Sequence, residues 1–291
     1  YFTLLRKYSF LLKGKKFKLE KEEKKRLLSF FGWLTVSSIS LVFFAHIDTF
    51  MLGLFLPAEF IGYYSAIFSV VGAVTAFVAF GSVFLPVFTQ LEQGKLERGF
   101  KKVFRYVCLI AVPATIGLAF VIVPAIKIIY GFAYVPSGYK LAITITSALL
   151  SLLVFESALT AIYSVLFQAK EKPRIPAILI VTVTIANIIL NYVFIKIGIS
   201  IAPQYGLVGV ALATLITRYS NMVTLAILAK RKLNLKTEFI SLVKPIIASS
   251  IMLAFLFIFD YFVTMSVWTG ILMILAGALV YFLVMLLIKG I

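Results

Sequence analysis

Long apolar runs recur along almost the whole chain, at 27–56, 61–89, 103–130, 141–167, 175–198, 206–229, 242–260 and 267–288. Each is long enough to cross roughly 30 Å of hydrocarbon as a helix, the longest with tilt or a kink. In a medium without water, backbone polar groups must be paired within the spanning structure, which leaves only helices or a closed barrel. The strict alternation of a barrel strand is absent, so the expected fold is an all-α integral membrane protein of eight transmembrane helices. Composition agrees, with 62% hydrophobic and only 13% charged residues. A water-soluble domain would be about a quarter charged. No connection between the runs exceeds about 16 residues, so no soluble domain interrupts them.

The net charge of +17 does not make a nucleic-acid-binding face, because the cations sit in short segments between the apolar runs. Residues 6–26 carry ten Lys and Arg, 95–105 five, 170–174 three and 230–244 five, and Lys289 follows the last run. The intervening connections at 57–60, 131–140, 196–205 and 261–268 carry few. Every second loop is therefore basic. By the positive-inside rule this expects a multi-pass protein of the cell (cytoplasmic) membrane, with both termini of the segment cytoplasmic and membrane lipids as partners. The lone cysteine, Cys108, lies within an apolar run and reads as a small buried side chain. No metal, cofactor or nucleic acid is expected.

Four stretches carry a family resemblance. They are His46-Ile-Asp-Thr-Phe-Met-Leu-Gly53 with Ile61-Gly-Tyr-Tyr-Ser65, and the connection Ile128-Ile-Tyr-Gly-Phe-Ala-Tyr-Val-Pro-Ser-Gly-Tyr139. The third is Leu166-Phe-Gln-Ala-Lys-Glu-Lys-Pro-Arg174, and the fourth is Asn187-Ile-Ile-Leu-Asn191 with Gln204-Tyr-Gly-Leu-Val-Gly-Val-Ala-Leu-Ala-Thr214. In order and spacing they resemble the Wzx-like polysaccharide flippases of the multidrug/oligosaccharidyl-lipid/polysaccharide exporter superfamily. That resemblance implies a MATE-like transporter of two six-helix lobes, often with two further helices. It maps residues 27–229 onto the second, carboxy-terminal lobe and 242–288 onto two additional helices. Residues 1–26 become the end of a preceding helix plus a polybasic cytoplasmic linker, with the amino-terminal lobe missing. The implied activity is translocation of a polyprenyl- or dolichyl-linked oligosaccharide. The alternatives are a cation-coupled multidrug antiporter or a lipid-linked peptidoglycan precursor flippase. A membrane-embedded transferase is more distant, because the chain has one His and no clustered acids outside the linker.

Ionisable groups at membrane depth are costly and so are candidates for function. These are His46, Asp48, Glu156 and Arg218. Polar stripes at helical spacing accompany them: Glu156, Thr160 and Tyr163 or Ser164; Thr184, Asn187 and Asn191; and Thr214, Arg218 and Asn221. Together the stripes suggest a shared hydrated cavity, although polar side chains also join helices structurally. Arg218 is the one mid-span cation able to meet a substrate phosphate. Asp48 and Glu156 are candidate ion-coupling groups, with Asp48 otherwise read as a structural ion pair or interfacial carboxylate near the outer boundary. His46 falls on another face of its helix. Pro86 is read as ending the second span, and Pro113 and Pro124 as interrupting the third. Gly206, Gly209 and Ala213 provide for close helix contact.

Overall fold

The computed structural model describes residues 21–235, 239–263 and 266–290. The remnant and most of the polybasic stretch expected before residue 21 lie outside the described residues. Ten α-helices follow one another: α1 (Lys21–Phe55), α2 (Ala58–Val78), α3 (Leu85–Gln90), α4 (Gln93–Tyr130), α5 (Lys140–Ser151), α6 (Leu153–Ala169), α7 (Arg174–Ile201), α8 (Tyr205–Leu233), α9 (Val243–Phe262) and α10 (Val267–Leu287). No strand occurs among the described residues. With α2–α3 and α5–α6 each forming one crossing, eight segments among the described residues are long and apolar enough to span a membrane. The chain is an all-α, multi-pass membrane protein.

Two crossings, the second and the fourth, are broken within their length. The second crossing leaves α-helix at Val78, passes through a 3-10 turn at Gly81–Phe84 and resumes as α3. Pro86 therefore sits in the first turn of a helix rather than at the end of one, a position where its missing N–H costs nothing. Gly81 makes that break fit, because a Cβ there would lie 2.7 Å from the backbone of Ala161 in α6. The fourth crossing breaks at Leu152, between α5 and α6. In contrast, α4 continues as α-helix through both Pro113 and Pro124. Neither proline interrupts the helix; neighbours in the bundle tolerate them.

One large apolar core joins the first eight helices, centred on fully buried side chains such as Leu52, Ile67, Phe88, Phe104, Ile143 and Leu166. A second, smaller core of Ala248, Met252, Leu256, Met273, Tyr281 and Met285 packs α9 and α10 together, with Leu109, Ile116 and Phe120 of α4 against it. Tyr281 donates a hydrogen bond to the Leu109 carbonyl at 2.7 Å, and Arg105 to that of Gly290 at 2.9 Å. The last two helices are thus tied to the rest through α4. Leu, Ile and Phe remain exposed along α1, α9 and α10, a surface suited to lipid rather than water.

The tightest helix pair, α7 and α8, is set by glycine. A Cβ on Gly209 would stand 2.3 Å from the Phe194 carbonyl oxygen, and one on Gly198 the same 2.3 Å from that of Tyr205. Only glycine lets these backbones touch. That contact brings the polar faces of α7 and α8 within hydrogen-bond reach.

Candidate functional site

Two polar clusters lie inside the bundle, and both use α8. The first is centred on Asp48 of α1, whose side chain is buried. Its Oδ2 accepts hydrogen bonds from the Tyr64 hydroxyl and the Thr214 hydroxyl, each at 2.6 Å. Its Oδ1 accepts one from Asn191 Nδ2 at 2.9 Å. The same amide nitrogen reaches Asn187 Oδ1 at 3.0 Å, and Asn187 Nδ2 lies 3.3 Å from both the Thr214 and Thr217 hydroxyls. Four helices (α1, α2, α7 and α8) therefore converge on one carboxylate. Asn191 Oδ1 is buried with no hydrogen-bond partner, leaving an unsatisfied acceptor beside that carboxylate.

This differs from the expectation for Asp48. Its carboxylate is buried, and no cation lies within ion-pair distance of it among the described residues. Neutral donors hold it instead. A buried carboxylate stripped of water needs such partners, and three donors supply them. His46, two residues earlier, is exposed on another face of α1.

The second cluster lies one turn further along α8 and at the start of α6. Arg218 Nε donates to Glu156 Oε2 at 2.8 Å, and its Nη2 donates to the Ser157 hydroxyl at 2.7 Å. The Thr160 hydroxyl donates to the other Glu156 oxygen at 2.6 Å. The guanidinium also lies over the Phe44 ring, 5.7 Å from its centre. Glu156 is almost sealed at 1% exposure, whereas 21% of the Arg218 side chain is exposed. The helix break explains the geometry. Glu156 falls in the first turn of α6, just past the break within the fourth crossing, and the Leu152 carbonyl at the break accepts a hydrogen bond from Tyr219 of α8 at 3.0 Å.

The three stripes read from sequence thus meet in two clusters rather than one cavity. Thr160 joins Glu156, Asn187 and Asn191 join Asp48, and α8 divides its stripe between them. Thr214 goes to Asp48 and Arg218 to Glu156. Asn221 is buried with its Oδ1 unpaired. Thr184 turns back onto the Ile180 carbonyl of its own helix, 2.7 Å away, and takes no part. Tyr163 packs on Phe100 instead. Tyr64, Ser157 and Thr217 were not among the candidates. Tyr64 lies within a stretch that carried the resemblance, which is the signal that could have found it. Ser157, adjacent to Glu156, and Thr217, one turn past Ala213, carried no signal apart from neighbourhood. Among the described residues no group of three or more His, Cys, Asp or Glu is placed to hold a metal ion.

The fold is that of a polytopic membrane protein with polar groups paired inside its helix bundle. Residues 5–138 match the family model described as "Polysaccharide biosynthesis protein". The chain shares its fold with a solved structure, "Lipid II flippase MurJ, inward closed conformation", at a TM-score of 0.68 and 22% identity. That match covers 87% of this chain and 51% of the other, so the chain spans about half the length of the structure it matches. No curated protein sequence matches the chain.

Proposed function

We propose that this chain forms the carboxy-terminal half of a transporter that flips a polyprenyl- or dolichyl-linked saccharide across the cytoplasmic membrane. Residues 27–229 would be its six-helix lobe, 242–288 its two additional helices, and the other half would supply the facing lobe. On this reading, the segment's ends lie in the cytoplasm, as the alternating basic loops require.

The observation that carries the reading is Arg218, a guanidinium at membrane depth, clamped by Glu156 and Ser157 yet still partly open. A planar fork of N–H donors suits a diphosphate, which it meets with two parallel hydrogen bonds. Asp48 serves as the ion-coupling group. It is a buried carboxylate beside an unsatisfied amide oxygen, so a proton or monovalent cation bound there would change how α1, α2, α7 and α8 hold together. Thr214 and Arg218 are one turn apart on α8, so movement of one cluster displaces the other. Thr160 braces the Glu156 cluster, and Asn187 and Asn191 brace the Asp48 cluster.

A second reading keeps the mechanism and changes the cargo. The solved flippase carries lipid II in its name, which favours a lipid-linked peptidoglycan precursor as the competing substrate. Both cargoes present a prenyl diphosphate to Arg218. The test is transbilayer movement of fluorescent prenyl-diphosphate saccharides by the reconstituted full-length protein. Arg218→Ala should abolish movement of either cargo; unaltered movement would remove Arg218 from the phosphate role. Competition between the two cargoes decides which is preferred.

A further inference from the structure

At the basic edge of the bundle, the amino-terminal half of α1 stands apart from α3 and from the turn between α6 and α7. The gap is a cleft of about 700 Å³. Its lining mixes charged side chains, Glu23, Arg26, Glu171 and Arg174, with apolar ones, Leu27, Phe30 and Leu85. Trp33 also lines it, about 10 Å along α1 from Arg26.

The cations of this turn differ in what already occupies them. Lys170 Nζ donates to the Leu91 carbonyl at 2.8 Å, and Lys172 Nζ to that of Lys232 at 3.5 Å. Arg26 pairs with Glu171 across the mouth, where both side chains are mostly exposed, so the pair is weak and exchangeable. Arg174 has no carboxylate partner among the described residues. Its guanidinium instead rests on the Trp33 ring, 5.3 Å from the centre, a contact that occupies its face and none of its N–H donors. A stacked, unpaired guanidinium beside a weakly held second one is a receptor for phosphate oxygens.

We propose that this cleft seats a phosphate-bearing lipid, with its phosphate on Arg174 and Arg26 and its chain along Leu27, Phe30 and Leu85. The phosphate takes Arg26 from Glu171 on binding. The site is separate from the Asp48 and Glu156–Arg218 clusters and does not rest on the transport reading. Two sources share the chemistry: an anionic phospholipid of the surrounding leaflet, and a polyprenyl diphosphate.

The test is photolabelling of the full-length protein in vesicles, with labelled peptides mapped by mass spectrometry. Diazirine-bearing phosphatidylglycerol, polyprenyl diphosphate and zwitterionic phosphatidylcholine are used in parallel. Labelling within 27–33 and 85–89 should favour at least one of the anionic probes by about tenfold, the equivalent of one charge-assisted contact. Arg174→Gln should remove that preference, while Arg98→Gln, in another basic segment, should leave it intact. Preference for phosphatidylglycerol alone assigns the site to the leaflet, and preference for polyprenyl diphosphate alone assigns it to the carrier lipid. Equal labelling by all three probes would mean ordinary boundary lipid only and would overturn the proposal. Absence of labelling in these segments, or a preference surviving Arg174→Gln, would overturn it equally.

Discussion

The Glu156–Arg218 pair offers a test in which geometry sets the size of the effect. Removing one member of a fully buried ion pair costs about 3–5 kcal/mol, because the other charge is left without a partner. Glu156 meets that condition, but Arg218 keeps 21% of its side chain exposed and retains Ser157 and the Phe44 face. Solvent screening therefore brings the expected cost of Glu156→Ala down to about 2 kcal/mol. Glu156→Gln preserves the shape and an oxygen that can accept from Thr160 or Arg218, so only the charge-assisted part is lost, about 1 kcal/mol. In the double variant Glu156→Gln/Arg218→Gln no charge remains buried, and its stability should return to within about 1 kcal/mol of wild type. Arg218→Gln leaves the sealed Glu156 without its cation and should cost about 3 kcal/mol, so the cycle should yield a coupling energy of about 3 kcal/mol. Equilibrium unfolding of the four full-length proteins in mixed micelles measures it. A coupling below about 0.5 kcal/mol would mean that the pair is a surface-like contact and that the reasoning from burial is wrong.

Other outcomes follow from the Asp48 cluster and its supports. Tyr64→Phe leaves the carboxylate one donor short and should cost about 1–3 kcal/mol in the same unfolding measurement. Asp48→Asn keeps the shape and removes the charge, so it should abolish any dependence of transport on a coupling ion while changing stability less than Tyr64→Phe; ion-gradient jumps on proteoliposomes read this out. Gly209→Leu forces side-chain atoms into the Phe194 backbone and should part α7 from α8. Loss of cross-linking between cysteines placed at Leu190 and Leu212, on these two helices, would report the separation.

Most of the fold was legible because spanning helices obey a simple constraint: apolar length. The eight crossings, the alternation of basic loops and the close contact at Gly209 all follow from residue type and spacing. The breaks did not. Leu152 ends a helix although nothing in Ser151-Leu-Leu-Val154 disfavours one; the break is stabilised from outside, by Tyr219 on the Leu152 carbonyl. Conversely, Pro113 and Pro124 lie in a continuous helix because the packed bundle overrides local preference. The candidate residues were recognisable as polar groups at depth, but their partners were not. Thr214 and Arg218 share a stripe at helical spacing yet serve different carboxylates, since the faces they present meet α1 in one case and α6 in the other. Asp48 shows the same limit: counting residues along an isolated helix does not reveal the three helices that close around its carboxylate.

If this chain is half of a transporter, Arg218 is the group that meets a lipid-linked phosphate on its way across. Transbilayer movement of a fluorescent prenyl-diphosphate saccharide, followed in vesicles bearing the full-length protein, puts that to the test against Arg218→Gln and Arg98→Gln. Protein-dependent movement is expected, reduced at least about tenfold by Arg218→Gln, the loss of one charge-assisted contact, and left unchanged by Arg98→Gln. Movement no faster than in protein-free vesicles, or movement equally fast with Arg218→Gln, would contradict it.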